Sequence, residues 1–285
     1  MVEEVISLAN IKKYTIQELE EYSQCPLKHL YEYKLKRKKK ALNAEHARIR
    51  IVKDIILTIA SAIIDGKRLT PGTAQDDFDS RLMKWAYTNK THPDSIAQVA
   101  AEGRLEVLAH YNRLYGMANK LLACRLPVES DIYLPSANRY TIKVTDVVDL
   151  VQFRVQGRGK ILQLVHFYTD KRRRSYFEVT NGIESALKTY VFLSSYKEII
   201  KKLGKDLSTK KSEVLFVHIP SRDCLVATPD KDTMGSIKSW LYNITKSVNE
   251  EIYYPSVSKQ CIKCSFQSTC RASDAKKINM RGGGL

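Results

Sequence analysis

Three cysteines stand within ten residues near the C-terminal end, in Cys261-Ile-Lys-Cys264-Ser-Phe-Gln-Ser-Thr-Cys270. Thiolates at this spacing can surround one metal centre, and three of them fall one short of a closed set of four. The fourth candidate is Cys25 in Tyr22-Ser-Gln-Cys25-Pro26, which sits in a similar aromatic-flanked loop, whereas Cys124 and Cys224 stand alone. Four thiolates suit tetrahedral zinc or an iron-sulfur cluster, and composition does not separate the two. The pattern of one lone cysteine joined by Cx2C and then x5C differs from the paired knuckles of zinc ribbons. A disulfide is the competing reading. The start Met1-Val-Glu-Glu-Val is acidic and lacks the apolar core of a secretory leader, so a reducing cytoplasm and metal ligation are expected. A centre shared by Cys25 and the C-terminal three would close most of the chain into one loop. That closure removes unfolded-chain entropy worth about 5 kcal/mol, comparable with the net stability of a domain.

Charge points to the partner. The 285 residues carry 47 Lys and Arg against 31 Asp and Glu, a net charge of +16, which favours an anionic partner and nucleic acid first. The positive charge is clustered in Lys34, Lys36, Arg37, Lys38, Lys39 and Lys40, in the run Lys171, Arg172, Arg173 and Arg174, and in a lysine-rich stretch over 201–211. No apolar run approaches the ~18 residues that a membrane span requires; an acidic protein or a membrane surface is the lesser alternative, and with no basic amphipathic helix evident a membrane partner is not expected.

The elements that must position these residues follow from periodicity. Thr15 and Glu18 form a capping-box pattern that opens a short helix, Cys25 falls at a joint, and Pro26 restarts a helix whose apolar face is Leu27, Leu30, Tyr31 and Leu35. Residues 41–64 repeat Ile49, Val52, Ile55, Ile56, Ile59 and Ile63 as an amphipathic helix ended by Gly66. Thr70 to Gly72 reads as a turn, and 76–122 as two helices broken before Pro93. Alternation then takes over near Leu126, giving strands over 127–134, 140–153 and 161–168 with hairpin turns at Ser136-Ala-Asn and Gln156-Gly-Arg-Gly. A helix over 183–203, strands over 214–219 and 224–228, and a helix over 231–252 complete an α/β order with a mixed sheet.

This order, with Tyr22-Ser-Gln-Cys25-Pro-Leu-Lys at one end and Tyr254-Pro-Ser before Cx2Cx5C at the other, resembles the iron-sulfur branch of the PD-(D/E)XK nucleases. That branch includes the AddB nuclease domain and the CRISPR-associated RecB-like exonucleases. The resemblance spans nearly the whole chain. It implies one restriction-endonuclease-like domain over 1–285, a mixed β-sheet flanked by helices, a helical insertion at about 67–125, and a 4Fe-4S cluster on Cys25, Cys261, Cys264 and Cys270 that joins the N- and C-termini. Zinc is the alternative occupant.

The same resemblance places Asp149 of Asp146-Val-Val-Asp149 where the family's metal-binding aspartate stands. The next strand should supply Asp-x-Lys, and this chain has His166 and Tyr168 there. A neutral imidazole is a poor partner for Mg2+ and a tolerable one for Mn2+, and a tyrosine brings no positive charge at neutral pH. Loss of one such electrostatic donor costs ~10²–10³ in rate. Tyr190 fits a further family position, while Glu184 or Ala186 replaces the glutamine expected with it; His46 reads as a surface or capping residue.

The leading expectation is therefore a nucleic-acid-binding, catalytically inactive nuclease-like subunit of a replication, recombination, transcription or CRISPR-like complex. DNA ranks ahead of RNA, Mg or Mn at Asp149 is weak or absent, and a virus or mobile element is a fitting source. The basic residues named above would track a phosphate backbone, with Tyr168 and Tyr190 available to stack on bases, core packing being the favoured role of Tyr190. The alternatives are an active Mn- or Mg-dependent nuclease that borrows a basic residue from Lys171 or Arg172, and a structural subunit docked on an acidic protein.

Overall fold

The computed structural model describes residues 12–37, 43–134, 141–157, 159–204, 211–228, 231–258, 261, 264–267 and 270. The chain divides into two compact units, one of residues 1–41, 131–144 and 235–285 and the other of residues 42–130 and 145–234. Together the elements form a mixed α/β fold with a mixed β-sheet and flanking helices.

The first unit begins with β1 (Lys13–Thr15) and α1 (Ile16–Gln24). Thr15 caps α1 by accepting the Glu18 N–H at 3.1 Å. Cys25 ends α1 in an extended conformation and precedes α2 (Pro26–His29), so the proline occupies the first helical turn, as its missing N–H allows. The chain then tightens into a π-helical turn, Leu30–Lys34. This shifts the buried face: Pro26 and His29 are buried while Leu35 is 51% exposed, unlike the expected stripe that ended on Leu35. The extra residue in a π turn rotates everything after it out of a 3.6-residue period.

The second unit starts with α3 (Ala44–Ile64), capped by Asn43, whose side chain accepts from the His46 N–H at 2.9 Å. Thr70 is the N-cap of α4 (Pro71–Thr88) rather than part of an isolated turn, because Pro71 supplies a first helical residue that needs no N–H donor. A 3-10 turn, Pro93–Ile96, leads into α5 (Ala97–Gly116). The expected break at Pro93 is found. The helix α3 packs with α4 and α5 through Ile49, Val52, Ile56, Phe78, Leu82 and Val107, all fully buried or nearly so. Gly103 admits the Phe78 ring where a Cβ would lie 2.0 Å from it.

The strands are β2 (Leu121–Tyr133), β3 (Thr141–Gln156), β4 (Gly159–Tyr168), β5 (Lys211–His218) and β6 (Cys224–Ala227). Their order is β1-β3-β4-β5-β6, with β2 also paired to β3. The β3–β4 and β5–β6 pairs are antiparallel and β4–β5 is parallel. Gly157, at φ +58°, turns β3 into β4. The Ser136-Ala-Asn turn lies outside the described residues. β4 is buried along its length from Ile161 to Tyr168 because it is central to the sheet. After β4 comes a short helix, α6 (Tyr176–Asn181), and instead of one helix over 183–203 there are two, α7 (Ile183–Ser194) and α8 (Tyr196–Leu203). Gly182 permits the first junction, since a Cβ there would lie 2.3 Å from the Glu178 carbonyl oxygen. The final helix is α9 (Lys231–Asn249).

Candidate metal centre and the Asp149 site

Within the first unit, Cys25, Cys261, Cys264 and Cys270 line one pocket. The N- and C-terminal segments meet there through the polypeptide itself. The Leu27 N–H donates to the Tyr254 carbonyl at 3.2 Å, the Tyr22 hydroxyl donates to the Ile252 carbonyl, and the Tyr31 and Phe266 rings meet edge-on at 5.5 Å. Tyr14 and Lys12 both donate to the Asn249 side-chain oxygen, at 3.0 and 2.6 Å. The remaining walls are mostly apolar, from Leu27, Tyr31, Pro255, Val257 and Phe266.

The thiols are held without being consumed. Cys261 Sγ accepts the Ser258 N–H at 3.4 Å and Cys264 Sγ accepts the Phe266 N–H at 3.5 Å; such bonds steady a thiolate ligand. The Cys264 and Gln267 N–H groups bond back to the carbonyls of Cys261 and Cys264 at 3.2 and 3.1 Å, giving a tight loop. Burial pushes the Cys264 thiol up, Lys28 and the Phe266 N–H draw it down, and the neighbouring Cys25 and Cys270 thiols raise it again. All six cysteines are free of disulfides. Cys124 and Cys224 belong to the second unit, where Cys124 donates to the Leu57 carbonyl at 3.3 Å and Cys224 accepts from Arg113 at 2.9 Å. In donor chemistry the four-cysteine pocket suits a thiolate-bound cofactor, although among the described residues no three of these thiols are gathered as ligands of one ion.

The second unit contains the sequence-singled carboxylate. Leu150 of β3 pairs with Val165 of β4, so the next rung sets Asp149 opposite His166 on one face. Asp149 Oδ2 accepts the Lys53 ammonium at 2.8 Å and the Phe167 N–H at 2.8 Å. His166 Nδ1 lies 3.1 Å from the same oxygen, yet it is too poorly aligned to form a hydrogen bond. Lys53 Nζ also donates to the Phe167 carbonyl at 2.9 Å. Burial pushes Asp149 up, but the Lys53 ammonium on its Oδ2 more than offsets this and holds the carboxyl well below its ordinary range. Burial and then Lys188 push His166 down, so its imidazole is neutral near pH 7.

Lys53 was not singled out by the sequence reading. Its signal is a lysine four residues after Ile49 and three before Ile56, on the apolar stripe of α3. A long amphipathic stem can follow that face while its ammonium finds a buried acid. The other expected sources of positive charge, Lys171 and Arg172, pair with Glu45 and Glu178.

The acids around Asp149 are likewise matched. Lys188 Nζ donates to Asp146 Oδ2 at 2.6 Å. Arg174 donates to Asp170 at 2.6 Å, Glu184 at 2.8 Å and Ser185 Oγ at 3.1 Å. Asp146, Asp149 and Glu184 thus each meet an ammonium or guanidinium, and a divalent cation would have to compete with all three. Among the described residues, no three His, Cys, Asp or Glu side chains are gathered as ligands of one ion. With a single, already paired carboxylate and a neutral imidazole, the residues at Asp149 do not fit Mg2+ or Mn2+.

The remaining predicted site residues divide. Tyr168 is 3% exposed and stacks on His218 at 4.9 Å, with Arg174 5.2 Å from its ring centroid, so it packs in the sheet instead of offering a face to a base. Arg173 pairs with Asp223 at 3.3 Å, and Arg174 is locked by acids. The 171–174 run is therefore not a bare positive strip. Lys36 and Arg37 are exposed, with Arg37 4.4 Å from the Tyr31 ring centroid; Lys38, Lys39 and Lys40 lie outside the described residues. No helix among the described residues is long and apolar enough to cross a membrane.

No family model and no curated protein matches the chain. Among solved structures, one described as the crystal structure of SSO0001 is similar over 92% of this chain and 87% of that one, at 12% identity and a TM-score of 0.40.

Proposed function

We propose that this protein binds nucleic acid without cutting it, as a nuclease-like subunit of a nucleic-acid-processing complex built on a restriction-endonuclease-like sheet. The observation that carries the reading is the Lys53–Asp149 pair at 2.8 Å, which places a fixed internal cation on the carboxylate that a nuclease would give to its metal. Neutral His166 beside it adds no charge to hold a cation, and the +16 net charge supports an anionic partner.

Cys25, Cys261, Cys264 and Cys270 would hold a 4Fe-4S cluster, whose chemistry here is cross-linking of the two chain ends. A single zinc needs four sulfurs about 2.3 Å from one point, hence within about 4 Å of one another. The support for the cluster is that all four cysteines line one pocket, and the Cx2Cx5C frame with its resemblance to the iron-sulfur branch favours it over zinc.

The test combines nuclease and binding assays on anaerobically purified protein. Salt-sensitive oligonucleotide binding is expected, with no Mg2+- or Mn2+-dependent cleavage. Metal-dependent digestion that disappears in Asp149→Ala overturns the reading.

One observation favours a second reading. The Lys53 ammonium beside Asp149 supplies from a helix the positive charge that β4 lacks, as an active enzyme with a divergent site would need. Lys53→Met separates the two. If Lys53 blocks metal, this substitution raises Mn2+ affinity, measured by calorimetry; if it serves chemistry, it abolishes a cleavage activity present in the unaltered protein.

A further inference from the structure

The loop after β4 leads into α6 with two aromatic side chains held in water. Tyr176 is 57% exposed and Phe177 71%, although burial is the ordinary fate of such rings. Their backbone is well fixed. Ser175 and Glu178 form a complete capping box, with each side chain bonded to the other residue's N–H, and the Tyr176 hydroxyl shares a 2.9 Å hydrogen bond with that of Thr228. Arg174, anchored by Asp170, Glu184 and Ser185, pins the preceding loop. The rings are thus presented at a defined place.

Positive charge lies beside them. The side chains of Lys171, Arg172 and Arg173 are 43%, 74% and 56% exposed, each on a surface acid. Exposed pairs of this kind hold weakly, so a phosphate can take over a guanidinium without a large cost. Fixed rings next to exchangeable cations are what unpaired bases and their backbone require, whereas a duplex keeps its base faces stacked and offers phosphates alone.

We propose that residues 171–177 form a platform for single-stranded nucleic acid, with Phe177 and Tyr176 stacking on bases and Arg172 and Arg173 meeting the phosphates beside them. This rests on the nucleic-acid-binding reading and names the form of the ligand and the residues that take it.

The experiment measures fluorescence anisotropy of a short labelled single strand and of its duplex with the full chain at several salt concentrations. Single strand is expected to bind more tightly than duplex. Phe177→Ala should weaken single-strand binding about tenfold or more while leaving the salt slope unchanged. Arg172→Gln combined with Arg173→Gln should lower that slope by about 1.4. Phe177→Trp should keep the affinity, with an indole emission quenched on binding. If Phe177→Ala and Tyr176→Ala both bind as the unaltered protein does, the platform is overturned and nucleic-acid binding elsewhere on the chain stands, including the case in which these rings serve a protein partner. If the unaltered protein binds neither oligonucleotide, the platform and the functional reading both fall.

Discussion

The cysteine pocket of the first unit and the Asp149 site of the second treat their polar groups in opposite ways. Four thiols line one pocket, and two of them, Cys261 and Cys264, are steadied by weak N–H···S bonds, which leaves their sulfurs able to accept a metal. The carboxylates around Asp149 are already matched, acid by acid, with Lys53, Lys188 and Arg174. An ion pair inside protein satisfies its members so fully that an external cation must first break it. The lesson is that ligand-type residues are not ligands until their competition is counted: one region keeps its donors available, and the other has spent them on stability.

Several substitutions should break this contrast, with the largest effect at the cysteines. On the proposed cluster, replacing Cys25 by Ser is expected to remove iron and visible absorption and to cost up to about 5 kcal/mol, since the loop it would close spans most of the chain; iron assay and thermal melting check it. An unchanged iron content would remove Cys25 from the ligand set.

At the second site the expected loss is about 3–5 kcal/mol for Asp149→Ala, which strands the Lys53 ammonium in a part-buried position. Removing both charges, Lys53→Met with Asp149→Leu, should recover most of that loss, because two apolar groups of similar size leave no ion unpaired. Urea denaturation of the four forms gives the coupling directly. A double variant as unstable as the single one would show that the pair is not the main role of Asp149.

Acid sharpens the comparison further. His110, 1% exposed, donates its Nε2–H to the Ile219 carbonyl at 3.0 Å, and burial lowers its pKa from 6.5 to about 4. Below about 6.5 the unfolded chain takes up a proton that folded His110 refuses until about 4. Stability is therefore fully present above this window and falls by about 3 kcal/mol across it. His166 is shifted in the same direction. Asp149, depressed instead, contributes fully above the ordinary carboxylate range and loses that contribution as pH falls through this range and below it. Denaturation midpoints between pH 7 and 4 should fall in the unaltered protein and fall less in His110→Gln. The smallest effect belongs to the surface: Arg172→Gln should change stability by less than about 0.5 kcal/mol.

Much of this was legible in the residues. Pro26 and Thr15 announced the joint around Cys25, the isoleucine repeat announced α3, and alternation announced β3, β4 and β5, because local backbone preference and side-chain period are properties of a short stretch. The π turn after His29 was not legible, since one inserted residue leaves composition unchanged. Nor was the split of α7 from α8 at Ser195, where the apolar pattern continues across the break. Tyr168 read as a vacant catalytic position with a stacking ring, but its surroundings come from His218 and Arg174, which are remote from it or pointed at it only by the fold.

By itself the sequence determined the chemistry on offer: six cysteines, three of them within ten residues, a strong positive charge, and a strand carrying His166 and Tyr168. These are facts of residue type and spacing, which no folding can alter. Tertiary structure decided which groups meet. It gathered cysteines from both ends of the chain around one pocket and brought Lys53, 96 residues away along the chain, onto Asp149. The physical reason is that ion pairing and ligation depend on distances of a few ångströms and on what water is excluded, and both are set by packing between segments remote in sequence.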